Sequence, residues 1–233
     1  MRGILYGVGV GPGDPELMTL KAVRLIKEND IIAVPGAEVR ETVAYKIAVQ
    51  AVPELADKEL LPIYMPMTHD KAELELNHEK GAKALEAALD TGKNVVFLTL
   101  GDPTVYSTYL YVHHRLVAQG YDTEIVCGIT SFCAVSARLN TGLVEKAEPL
   151  HVIPASYQIE DALKLPGTKV LMKAGKKMRN VKEQLLAQGA EAMMIENCGM
   201  PDEKIYRSVE EIPEDAGYYS LIIIKENKER TQE

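Results

Sequence analysis

The sequence predicts an α/β protein of two α/β domains: an N-terminal one with a mostly parallel sheet and a C-terminal one with a mixed sheet. Three observations lead there. In the first half, short apolar runs alternate with segments of helical period, the pattern of a parallel sheet covered by helices. After Glu148-Pro149 strand-like runs follow one another with one clear helix among them, which suggests mixed or antiparallel pairing. Three glycine-bearing turns, "GVGVGPGDP" (7–15), "LTLGDPTVYSTY" (98–109) and "CGITSF" (127–132), each follow a strand-like run and precede a helical one. The domain boundary is expected between Cys127 and Pro149 and is placed here at 128/129, giving domains 1–128 and 129–233.

In chain order, residues 4–10 read as a strand and 11–15 as its turn. Asp14 is placed to cap the next helix, over 16–27, and Pro15 suits its first turn. Leu17, Leu20, Val23 and Ile26 would form its buried stripe. Strands are expected at 31–34, 60–64, 95–100 and 124–127, with helices at 42–52, 71–89, 106–119 and 131–139. The second domain should carry strands at 150–154, 169–173, 192–196, 204–208 and 218–225, and a helix at 178–188. No internal repeat is apparent.

Bulk properties exclude several classes of function. Hydrophobic residues make up 46% and charged residues 26% of the 233, an ordinary balance for a globular protein. No apolar run approaches the ~20 residues of a membrane span. No charged segment followed by an apolar one opens the chain, so a cytoplasmic location is expected. The net charge of −8 argues against nucleic-acid binding, which needs a basic surface. An anionic substrate would therefore need a local cluster of Arg and Lys. Cys127, Cys133 and Cys198 make no CxxC pair and read as reduced thiols. The terminal "KENKERTQE" reads as a solvated tail.

A strand, a glycine-rich turn and a helix present backbone N–H groups to a ligand. Two nucleotide readings fail on spacing. A Walker A loop would end in Gly-Lys-Ser/Thr, which is absent, and a GxGxxG starting at Gly7 would meet Pro12 where glycine is required. The competing reading, a tight turn that holds no ligand, weakens because the pattern occurs three times. In a parallel sheet the turns emerge at one edge, the edge where open α/β sheets bind ligands.

These segments resemble the S-adenosylmethionine-dependent tetrapyrrole methylases of the cobalamin and sirohaem pathways. The resemblance rests on "GVGVGPGDPELMTLKAVRLIKENDIIAVP", "LTLGDPTVYSTY" and "CGITSFCAVSARL", and extends through "VLMKAGKKMRNV" to "YYSLIIIK". It implies S-adenosylmethionine as methyl donor in a cleft between the two domains, and a homodimer. "AVPGAEVRETVAYKIA" (33–48), "PIYMPMTHDK" (62–71) and "DPTVYSTYLYV" (102–112) resemble the C20-methyltransferase branch, whereas the sirohaem-type "YD-x-L" segment is replaced by Val34-Pro35-Gly36. The implied reaction is methylation at C20 of cobalt-factor II, with metal-free precorrin-2 as the alternative substrate. A protein methylase and a non-catalytic adenosine-ligand binder are further alternatives.

Position by position, the resemblance implies donor contacts at Pro12, Leu100, Gly101, Asp102, Val105, Thr130 and Ser131, and in the second domain at Met172, Lys173 and Ala174. Gly101 and Pro12 are expected to let the ligand approach the backbone. Methyl transfer from a sulfonium is an in-line displacement in which positioning supplies most of the catalysis. A proton must later leave C20, and Asp102 is the candidate general base, with donor orientation or turn capping as its competing roles. The substrate carries eight carboxylates, for which Arg40, Lys46, Arg138 and Lys173 are the candidate partners. Tyr106, Tyr109 and Tyr111 are candidates to pack on the macrocycle, with core packing as the alternative. No protein-bound metal is expected, because the histidines lack ligand spacing. His69 is the candidate axial ligand to the substrate's own cobalt.

Overall fold

The computed structural model describes residues 1–226 except Met67, His69 and 156–158, and the side chain of Lys176. It divides into two compact units, Met1–Thr130 and Ser131–Glu233.

In the first unit five strands, β1 (Leu5–Gly9), β2 (Ile31–Pro35), β3 (Glu59–Ile63), β4 (Val95–Thr99) and β5 (Thr123–Val126), form a sheet of order β3-β2-β4-β1-β5. Every pairing in it is parallel. The strands carry apolar residues on both faces because both faces are covered. Val8, Ile32, Val34, Val96 and Leu98 pack beneath α1 (Leu20–Glu28) and α2 (Val43–Ala51). Leu5, Ile31, Ala33, Val95 and Phe97 pack beneath α3 (Lys71–Leu89) and α4 (Tyr109–Ala118).

Two of the expected helices start later than expected, each for a local reason. Asp14 Oδ1 accepts from Glu16 N at 2.8 Å, but this closes only the 3-10 turn Pro15–Leu17. Met18 and Thr19 are extended, and Thr19 Oγ1 accepts from Ala22 N at 3.1 Å to start α1. The restart shifts the helical frame. Leu20, expected in the stripe, is 89% exposed, while Ala22, Leu25 and Ile26 are buried. The helix expected from 106 starts at Tyr109, because Tyr106 holds a left-handed φ of 48° that a helix cannot continue.

The second unit contains α5 (Ser131–Arg138), β6 (Leu150–Pro154), β7 (Thr168–Met172), α6 (Met178–Ala187), β8 (Glu191–Glu196), β9 (Lys204–Tyr206) and β10 (Ser220–Lys225). Its sheet has the order β6-β7-β10-β8-β9; β6 and β7 are parallel and the other pairs antiparallel. This is the mixed sheet that the run of strands predicted. Two lysines fasten its connections. Lys225 Nζ donates to the carbonyls of Gly142 (2.6 Å) and Leu143, and Lys182 Nζ donates to those of Glu210 (2.8 Å) and Ile212 (2.6 Å).

Candidate functional site

The three strands that end in glycine-bearing turns are adjacent. β1 lies between β4 and β5, with Gly9 opposite Thr99 and Val8 opposite Val126. The turns therefore leave one edge of the sheet side by side. They also touch. Gly11 and Gly101 form an antiparallel bridge, with Gly101 N donating to Gly11 O at 2.8 Å and Gly11 N to Gly101 O at 3.3 Å. A Cβ built on Gly9 would lie 2.5 Å from the Gly101 carbonyl oxygen and 2.7 Å from Gly128 Cα. One on Gly128 would lie 2.1 Å from the same oxygen. Gly9 and Gly128 are thus glycine because backbone packs against backbone. Gly101 differs: its φ is +71° and the nearest atom to its Cβ position is 4.0 Å away, so conformation rather than crowding requires glycine there. Both of its backbone polar groups are engaged by Gly11.

Asp102 joins two of the turns. The side chain is buried, with the residue 7% exposed. Oδ1 accepts from Thr104 N at 2.8 Å and from the Thr104 hydroxyl, and Oδ2 accepts from Gly128 N at 2.9 Å. Pro12 is buried one residue beyond the Gly11 bridge, and Leu100, Val105 and Thr130 are half-buried around these turns. Thr99 Oγ1 and Thr130 Oγ1 are buried without a hydrogen-bond partner among the described residues. Buried hydroxyls are normally satisfied, so these two stand out among the described residues at this edge. Thr99 carries no signal of this in the sequence, where a threonine closing an apolar run reads as ordinary strand.

Three of the second unit's predicted donor residues lie at the end of β7 and just after it. Met172 is half-buried and Ala174 buried. Lys173, between them, has φ +60°, and burial holds its ammonium below the ordinary lysine range. Ser131 is half-buried at the start of α5.

The candidate substrate residues fare unevenly. Tyr109 is not available to a macrocycle. Its ring is fully buried in the space left by Gly7, whose Cβ would lie 2.1 Å from Tyr109 Cζ, and its hydroxyl lies 3.2 Å from His113 Nδ1. Burial pushes its phenol well above the usual range. Tyr106 is 50% exposed, and Tyr111 stacks on His78 at 4.4 Å between ring centres. Arg40 donates to Tyr45 Oη at 2.9 Å and to the Ala56 carbonyl at 3.0 Å, so its guanidinium serves the local fold. Lys46 pairs with Glu41 and Arg138 with Glu203, each at 2.7 Å; the first pair is exposed, whereas the Glu203 side chain is only 12% exposed and also accepts from Gly199 N. His69 lies outside the described residues. Among the described residues no group of three or more His, Cys, Asp or Glu is arranged to hold a metal ion, and no helix is long and apolar enough to cross a membrane.

Comparison with known proteins supplies the context for this edge. The chain is 36% identical to the probable cobalt-precorrin-2 C(20)-methyltransferase of Methanocaldococcus jannaschii over 96% of each chain. It is 30% identical to the precorrin-2 C(20)-methyltransferase of a Sinorhizobium species, over 98% of this chain and 97% of that protein. It is 31% identical to the cobalamin biosynthesis protein CobIJ of Mycobacterium tuberculosis over 98% of its own length, but spans only about half (47%) of that protein. Among solved structures, the uroporphyrin-III C-methyltransferase of Thermus thermophilus complexed with S-adenyl homocysteine aligns with TM-score 0.72 at 23% identity, over 96% of this chain and 98% of that one, and shows the shared fold. Residues 4–213 match the family model of the Tetrapyrrole (Corrin/Porphyrin) Methylases, and the chain belongs to that family.

Proposed function

We propose that the protein transfers a methyl group from S-adenosylmethionine to C20 of a cobalt-bearing precorrin-2-type tetrapyrrole, cobalt-factor II, in cobalamin biosynthesis. The observation that carries the reading is the match over 96% of each chain to a relative named for C20 methylation of cobalt-precorrin-2. The geometry of the first unit is consistent with it. A polar, elongated donor needs backbone and hydroxyl partners rather than a charged cage. Pro12, Leu100, Gly101, Asp102 and Val105 are the proposed contacts at the glycine edge, Gly101 by close approach at its bare Cα because Gly11 takes its N–H and C=O, with unpartnered hydroxyls at Thr99 and Thr130. In the second unit Ser131, Met172, Lys173 and Ala174 are the proposed contacts. When bound, the donor supplies an activated methyl on a good leaving group, so the protein's task is to hold it in line with C20.

Tyr106, Lys46, Arg138 and His69 remain proposed substrate contacts. For Lys46 this requires a substrate carboxylate to displace the exposed Glu41, an inexpensive exchange because exposed ion pairs contribute little. For Arg138 it requires displacing the largely buried Glu203, which also accepts from Gly199 N. Arg40 is retained only as a weaker candidate, since moving it would also release Tyr45 and the Ala56 carbonyl.

The Sinorhizobium relative favours the second reading, methylation of metal-free precorrin-2. Single-turnover reactions under strict anaerobiosis separate the two by the mass of the product. The proposal expects the cobalt substrate to be methylated faster; faster methylation of precorrin-2, slowed by inserting cobalt, would reverse the choice. The protein is also proposed to be a homodimer, which sedimentation equilibrium tests by giving twice the 25.7 kDa chain mass or a monomer.

A further inference from the structure

We propose that Asp102 is a positioning residue: its carboxylate fastens the Gly-Asp-Pro turn after β4 to the turn after β5, and so sets the spacing at which the two turns receive the methyl donor. The inference rests on the donor reading above and goes beyond it by excluding this carboxylate as the base at C20.

The geometry supports the role in three ways. First, both oxygens are in use. One takes the Thr104 amide at 2.8 Å and the Thr104 hydroxyl, which shapes the turn; the other takes the Gly128 amide at 2.9 Å, which crosses to a neighbouring turn 26 residues away. Second, the turns it joins are in hard contact, because Gly128 has no room for a Cβ beside the Gly101 carbonyl oxygen. The contact keeps the turns from moving closer, and the carboxylate keeps them from separating. Third, the unpartnered hydroxyls of Thr99 and Thr130 flank the tie, one three residues before Asp102 and one two residues after Gly128. The sheet sets their separation up to the ends of β4 and β5, and beyond those ends the carboxylate tie helps to hold it.

The same contacts argue against proton abstraction. A carboxylate that accepts a proton turns one of its oxygens toward acting as a donor, and here N–H or O–H donors already face both oxygens. Taking the proton from C20 would therefore break the contact that holds the edge together. Charge-assisted bonds to backbone amides are also the stronger kind, so loss of the charge weakens all three at once.

The test uses S-adenosylhomocysteine binding by calorimetry together with steady-state methylation across pH, for wild type, Asp102→Asn and Thr104→Val. In Asp102→Asn the new carboxamide keeps one acceptor oxygen but turns an NH₂ group toward either the Gly128 or the Thr104 amide. Positioning predicts that Asp102→Asn weakens S-adenosylhomocysteine binding by about 10- to 100-fold, because the binding edge is no longer held at the spacing the ligand needs and must be reordered on binding. It predicts kcat at saturating donor within about threefold of wild type and a pH–rate profile of unchanged shape. Thr104→Val removes one donor from the same carboxylate and should weaken binding in the same direction by a smaller factor. Unchanged affinity in Asp102→Asn, with kcat down more than about a hundredfold and the acidic limb of the profile lost, would make Asp102 the base and overturn the inference. Unchanged affinity and kcat with only a lowered melting temperature would overturn it in favour of a purely structural tie. Should Asp102→Asn fail to fold, unchanged affinity in a folded Thr104→Val protein overturns it equally. Wild-type protein that binds no S-adenosylhomocysteine contradicts the donor reading itself, before any variant is compared.

Discussion

The turns at the glycine edge of the first unit are joined backbone to backbone, whereas two connections of the second unit are fastened by lysine side chains. At the glycine edge of the first unit, Gly9, Gly101 and Gly128 meet main chain to main chain, and the 7%-exposed Asp102 ties two turns through amides. In the second unit Lys225 spans from β10 to the carbonyls of Gly142 and Leu143, and Lys182 from α6 to those of Glu210 and Ile212. A lysine tether keeps torsional freedom along its flexible stem and tolerates small shifts. Backbone packed on backbone does not. The difference teaches where geometry is held tightly, and it is held tightly where the donor is proposed to bind.

The largest expected effect breaks the first kind of joint. Gly128→Ala puts a Cβ 2.1 Å from the Gly101 carbonyl oxygen, where only backbone can move away. It should destabilise the protein by about 3 kcal/mol or more in urea titration and abolish S-adenosylhomocysteine binding. A variant of wild-type stability would show that the turns are not in contact. Breaking the second kind should cost less. Lys225→Met removes the donor from two carbonyls and should cost about 1–3 kcal/mol. Donor affinity should stay within about twofold, because Lys225 lies opposite Glu191 at one end of β10, whereas Leu221, near the other, lies opposite Met172.

How far these joints were legible follows from the same contrast. The glycine turns and the order of elements could be read because each signal is local: a strand, a turn and a helix in sequence. The mixed second sheet was legible from its run of strands. Asp14 and Thr19 are both good caps five residues apart, and propensity alone could not say that the first closes only a 3-10 turn; the error carried Leu20 into the core when it is exposed. The sequence left Tyr109 open between the substrate and the core, because its place under Gly7 depends on a contact 102 residues apart in sequence. Lysine-to-carbonyl ties have no local signature, and neither does the tie from Asp102 to Gly128.

Two smaller effects sharpen the comparison. Gly120 also has a positive φ, +76°, but nothing lies within 4 Å of its Cβ position. Gly120→Ala should therefore cost only about 1 kcal/mol of backbone strain, measured against Gly128→Ala as the crowded case. The smallest effect concerns pH. His78 and His113, on α3 and α4, are both held below the ordinary imidazole value of 6.5, chiefly by burial and further by Arg115 and His114 respectively. The unfolded chain therefore takes up protons first as pH falls through 6.5, and the stability these sites contribute at neutral pH is lost below it. His78→Gln with His113→Gln should flatten the fall in stability between about pH 7 and pH 5, read as urea midpoints at each pH. An unchanged slope would place that acid sensitivity elsewhere.

If the three joined turns of the first unit receive the methyl donor, binding should shield their own amides. Hydrogen exchange with and without saturating S-adenosylhomocysteine tests it most directly, because it reads the backbone amides themselves. Binding at these turns should slow exchange in the peptides covering 9–13, 100–105 and 127–131, all three together. Saturating ligand that leaves those peptides unchanged and protects others instead would contradict it.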